Sequence, residues 1–273
     1  TFMMHVSQQD NPFEHNVKVG CAAMQKIWDV LFSEAPHRII QSSAVYQLTM
    51  QHVSDSWCST MGSTAVAVVL TFCNANSDLK NSDENHQEFA MQYLEHLHFL
   101  YHKADGDDAK KFKGAFHGPF ILQTFASHLT AVKGAQKIHG IDDSQPYGAL
   151  AIATAAVEHA LKLIASGIIT IEMVKKAKGR IPTLPKQINQ ATGKVSNQFT
   201  VFNEASWGKH CSSYVKSAKN LSASRFNKII TLSAEYMKIS QNLEDEDVIE
   251  IPDDNDDDIH ANIIDHSSSG KDD

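Results

Sequence analysis

Glu95, His98 and His102 are the side chains whose types and spacing come nearest to a metal centre. If the segment is helical, all three fall within about sixty degrees of one face, and two imidazoles with a carboxylate can share a zinc ion. No glutamate lies between the histidines to activate water, so the metalloprotease HExxH pattern is not met. A metal-dependent enzyme centred on His98 and His102, with His117 close by, is one alternative; an exposed polar helix face explains the same residues.

Other catalytic patterns are missing from the sequence. It holds no GxSxG elbow, no Walker loop and no GxGxxG run. No catalytic residue and no cofactor is assigned, which favours a non-enzymatic protein. Cations form two groups, Lys175, Lys176, Lys178, Arg180, Lys186 and Lys194, then Lys209, Lys216, Lys219, Arg225 and Lys228. Such patches can neutralise phosphates, and aromatic interleaving is confined to Trp207 and Tyr214, so nucleic-acid contact is a second alternative.

The sharpest short pattern is Val248-Ile249-Glu250-Ile251, set between Glu244-Asp245-Glu246-Asp247 and Asp253-Asp254-Asn255-Asp256-Asp257-Asp258. Three β-favouring apolar residues in an acidic arm have no core to join. Val248, Ile249 and Ile251 resemble motifs that dock on small ubiquitin-like modifiers by adding a strand to a sheet edge. The arm itself, Leu243 to Asp273, holds thirteen of the 32 carboxylates and one of the 24 Lys and Arg residues, so it carries −12 while the rest carries +4.

The elements that must position these residues read as helices. Apolar residues recur at three-and-four spacing through nearly the whole body, beginning with Cys21, Met24, Trp28 and Leu31 behind a cap at Asn16. Val45 to Phe72 reads as one or two helices, with its β-branched run leaving room for a strand. A helix over Glu84 to His102 has Phe89, Tyr93, Leu97 and Leu100 on one stripe. Gly118-Pro119 opens the next. Pro146 to Ser166, rich in alanine, reads as the central helix, with Thr154, Glu158, Lys162 and Ser166 as its polar row. Thr170, Asn203 and Ser222 or Ser224 are caps of later helices, and Arg180 to Thr200 is a long loop.

The expected fold is therefore all-α: an irregular globular body of about seven to nine helices. Residues 1–16 form a flexible N-terminal segment, 17–240 the helical domain and 241–273 a disordered acidic tail. The first sixteen residues lack the basic start and apolar run of a signal peptide. Cys21, Cys58, Cys73 and Cys211 are far apart in apolar contexts and read as reduced thiols. Both point to an intracellular protein, nuclear or cytoplasmic. Neither Ser59 to Asn74 nor the interrupted Tyr147 to Thr170 reads as a membrane span.

His117-Gly118-Pro119-Phe120-Ile121-Leu122, Gly148-Ala149-Leu150-Ala151, Phe202-Asn203, Trp207-Gly208 and Tyr214 together resemble an uncharacterised helical domain that recurs in mushroom-forming fungi. The resemblance spans Val17 to Ser240. It implies a helical fold, supplies no catalytic residues, and places some members near mobile elements. The function expected from all of this is an interaction protein with a docking tail. The alternatives are a mobile-element-linked nucleic-acid accessory protein and the His98/His102 metalloenzyme.

Overall fold

The computed structural model describes residues 1–13, 16–80, 82–141, 144–177, 182, 184, 187–188, 195–196 and 200–246. Of these, 54–55, 187–188, 195–196 and 238–246 are described as backbone only. Val248, Ile249 and Ile251 lie outside the described residues.

Nine helices carry the described fold. They are α1 (Phe2–Ser7), α2 (Val17–Leu31), α3 (Ala44–Ala75), α4 (Asp83–Leu94), α5 (Pro119–Ala131), α6 (Tyr147–Ala165), α7 (Ile171–Lys176), α8 (Glu204–Lys219) and α9 (Ala223–Glu246). Within α3 the stretch His52–Cys58 is π-helical, so Val45 to Phe72 is one continuous rod with no strand. The expected caps Asn16, Thr170, Asn203 and Ser222 are present, and Ser43 and Ser82 are two more. Each accepts a bond from a backbone N–H three residues on, which satisfies a donor the helix leaves free.

α6 is the central helix. Ala149, Ala151, Ala153, Ala155, Ala156 and Ala160 are fully buried, and their small side chains let α3, α4, α5 and α8 close around it. It ends where Gly167, at φ +67°, donates to the Ile164 carbonyl while Ile168 donates to that of Leu163. This is the paired closure that a left-handed glycine permits. By length and composition both α3 and α6 are apolar enough to cross a membrane, unlike the expectation from sequence. The apolar window of α6 is 89% buried by the protein, as in a core helix, and that of α3 is 50% buried.

Two expectations are corrected. Residues 1–16 hold α1, whose Phe2 and Val6 are buried; its end lies so close to α6 that a β-carbon on Gly148 would sit 2.7 Å from the Gln9 carbonyl. The helix expected over Glu84 to His102 stops at Leu94, and Glu95–Leu100 is a tight 3-10 stretch in which His96 and Leu97 take φ of 47° and 58°. A continued helix would hold Phe99 away from the Phe89 and Tyr93 stripe; the break instead leaves Phe99 1% exposed and turns Leu97 outward. Burial of the larger ring prevails over helical continuity.

After the break, β1 (Tyr101–Lys103) pairs antiparallel with β2 (Lys113–Ala115), Tyr101 opposite Ala115 and Lys103 opposite Lys113. A second short pair, β3 (Gln187–Ile188) and β4 (Val195–Ser196), lies within the segment read as a long loop.

Candidate functional site

The β1–β2 hairpin and α9 face each other across a groove of about 840 Å³, with Gln92 and Tyr93 of α4 and Pro119 and Leu122 of α5 lining it between them. A cavity of about 440 Å³ adjoins it and shares Tyr101, His117 and Lys228. The hairpin contributes Tyr101, His102 and Lys103, and α9 contributes Lys228, Leu232 and Tyr236. Lys113 and Arg225 line the adjoining cavity.

Close packing holds the hairpin in place. Gly114 has φ +72°, and a β-carbon there would lie 2.9 Å from His102 Cβ and 3.2 Å from His117 Nδ1, so both imidazole side chains converge on one glycine. Gly118 packs flat on the break segment, since a β-carbon would fall 1.8 Å from the Phe99 carbonyl. Phe116, between these glycines, takes φ +64° and is buried.

The groove and the cavity beside it are electropositive. Lys103 and Lys228 line the groove with His98, His102 and His117, Lys113 and Arg225 line the adjoining cavity, and Asp105 is the lone carboxylate among the described lining residues. Burial first, then the charges of Lys228 and His102, hold His117 below its ordinary value.

The proposed zinc ligands do not assemble. Glu95 and His98 lie in the 3-10 stretch and His102 on β1, so the helical face that would have joined them is absent. His98 buries Nε2 without a partner and sets its ring at 5.0 Å from that of Phe112. Among the described residues no three His, Cys, Asp or Glu side chains are grouped to hold a metal ion.

A second polar cluster sits between α6 and α8. Glu158 is 6% exposed; the Tyr214 hydroxyl donates to its Oε2 at 2.8 Å, and Lys162 Nζ lies 2.6 Å from its Oε1. His210 Nδ1 is 3.6 Å from Oε2, and Lys162 stands 5.0 Å over the Trp207 ring. Burial foremost, then Glu158, pushes the Tyr214 phenol well above its ordinary range. Every group around this carboxylate is already engaged, so the arrangement is a tie between helices.

A family model described as a domain of unknown function (DUF6532) matches residues 5–180. The chain belongs to this family. No curated protein and no solved structure matches it. The DUF6532 span takes in the hairpin, α5 and α6, while Trp207, Tyr214, Arg225 and Lys228 lie beyond it. The groove thus joins a hairpin inside the family match to a helix outside it.

Of the basic residues noted in the sequence, Lys228 reaches the groove and Arg225 the cavity adjoining it, Lys209 lines a separate cavity beside Glu158, and Lys219 pairs with Asp10. Trp207 is buried and Tyr214 is committed to Glu158. Tyr93, Tyr101 and Tyr236 were not singled out as site residues, because they come together only through the turn after Leu94.

Proposed function

We propose that this DUF6532 protein is a non-enzymatic interaction protein of the cell interior, whose helical body takes an anionic partner into the groove and whose acidic tail carries a separate docking segment. The observation that supports the body's role is the lining of the groove and its adjoining cavity: together four Lys and Arg residues and three histidines beside Tyr93, Tyr101 and Tyr236, against one carboxylate among the described lining residues. Cations on an aromatic wall favour an anion with a flat or apolar body. A nucleic-acid accessory role is the second reading, favoured by the entry of Arg225 and Lys228 into that wall.

Elution from immobilised heparin tests the body. The full chain should require clearly more salt than Arg225→Glu/Lys228→Glu, because each removed contact lessens counterion release. Equal elution of the two would overturn the role of the groove.

For the tail, Val248, Ile249 and Ile251 are the proposed docking residues for a small ubiquitin-like modifier, with the acidic flanks speeding encounter. Ordering entropy keeps the expected affinity at ~1 to 100 μM. Titrating the labelled modifier with a peptide covering 241–258 is the test; unmoved resonances at millimolar peptide would remove this role.

A further inference from the structure

We infer that the groove is a binding site for a small phosphate monoester with an apolar or aromatic body, its phosphate held between His102, His117 and Lys228. This rests on the groove being an anion-binding surface and adds the class of ligand.

The first support is convergence. His102, opposite Gly114 in the hairpin, and His117, just past β2, both meet the face of Gly114, and Lys228 of α9 lines the same cavity closely enough to act on His117. Among the described residues none of the three is ion-paired with a carboxylate, and a desolvated ammonium without a partner is costly, so an anion gains by binding beside it. A phosphate dianion suits the set best, because its three terminal oxygens can accept from an ammonium and from one N–H of each imidazole, including a neutral one. A carboxylate carries one negative charge where the phosphate dianion carries two, and so matches the cationic set less well.

The second support is the backbone. Among the described residues, the non-glycine residues with positive φ are His96, Leu97 and Phe116, and all three flank the hairpin that forms one wall of the groove. Left-handed backbone at such residues costs of order 1–3 kcal/mol each and clusters where geometry serves a ligand. Gly118, which that packing requires, opens α5, whose first turn has no side-chain cap. The positive end of this thirteen-residue helix therefore adds to the field at Pro119, which lines the groove.

The third is size and polarity. A volume of about 840 Å³ lies within the range of small-molecule sites, roughly 300–1,000 Å³. Away from the phosphate subsite, Tyr93, Leu122, Leu232 and Tyr236 offer apolar surface for the ester's body.

Calorimetric titration of the full chain with phenyl phosphate tests the inference, with phenol and inorganic phosphate as comparison probes at constant ionic strength. Phenyl phosphate should bind saturably, inorganic phosphate should compete more weakly, and phenol should not bind. Lys228→Ala and His117→Gln should each weaken phenyl phosphate roughly ten-fold or more, as expected for loss of a charge-assisted bond. Lys209→Ala, at the other cavity, should leave it unchanged, and thermal melts verify that each variant folds. No saturable binding by the wild type, or equal binding by the Lys228 and His117 variants, overturns the assignment. If a single-stranded oligothymidylate binds in a Lys228-dependent way while phenyl phosphate does not, the small-ligand assignment falls and the anionic-partner reading stands. If neither binds, both fall.

Discussion

The Tyr214 hydroxyl donates to Glu158 Oε2 at 2.8 Å, fastening α8 to a carboxylate buried on the central helix. Glu158 sits there although its helix is otherwise lined with alanines, because Lys162 one turn on takes its second oxygen and reaches solvent with its own stem. A buried carboxylate stripped of a donor carries a desolvation penalty. Tyr214→Phe should therefore lower stability by about 2 kcal/mol, the range for a bond to a charged group. Glu158→Gln, which keeps an acceptor for the phenol, should lose about half as much. Urea denaturation reads both, and a Tyr214→Phe midpoint equal to the wild type's would show that the bond contributes nothing.

Gly118 and Gly134 separate two reasons for glycine. Gly134 has φ +75° with open space around it, so Gly134→Ala bears only the conformational penalty, about 1 kcal/mol. Gly118 has φ −58°, which any residue adopts, yet its β-carbon would overlap the Phe99 carbonyl. Gly118→Ala should lose roughly 3 kcal/mol or more, since backbone must move to admit it. Melting the two variants side by side decides the matter; equal losses would mean that the segment around Phe99 is not packed on Gly118.

Much of the fold was legible because its signals are local. Asn16, Thr170, Asn203 and Ser222 announce helix starts, Gly167 a stop, and the alanines from 149 to 160 the close approach of neighbours. The break after Leu94 was not legible, because Phe89, Tyr93, Leu97 and Leu100 keep helical spacing to His102 and only tertiary burial of Phe99 overrides it. That error concealed the groove. His102 and His117 were visible as histidines, but their convergence depends on a hairpin whose strands are three residues each, and their partner Lys228 lies more than a hundred residues on. Glu158 belongs to the polar row visible in the sequence; its burial follows from α8, which the spacing within α6 cannot report.

The cysteines should differ sharply in reactivity. Burial pushes the Cys58 thiol up to about 12 and that of Cys73 to about 11. Cys211 is raised further by burial, with Cys58 and Glu158 beside it. Cys21 alone is partly exposed. Thiolate is the reacting form, so a disulfide reagent at neutral pH should label Cys21 first, and Cys21→Ser should abolish the fast phase. Fast labelling that survives Cys21→Ser would mean that one of the three core cysteines opens readily to solvent.

Acid should weaken the fold before the carboxylates titrate. His128, 1% exposed between Trp57 and Phe125, is held by burial at about 3, and His159, beside Phe202 and Trp207, at about 4. His86 and His117 are also lowered. In the unfolded chain each returns to about 6.5. Between these values the unfolded state binds protons that the folded state refuses, so stability is full above about pH 6.5 and falls as pH drops toward the folded values. Each deeply buried histidine contributes at most roughly 1.4 kcal/mol per pH unit. The urea midpoint should therefore fall between pH 7 and pH 5, and His128→Gln, which cannot take up a proton, should lose less over that interval than the wild type. An equal loss in both proteins would mean that His128 takes up its proton within the fold.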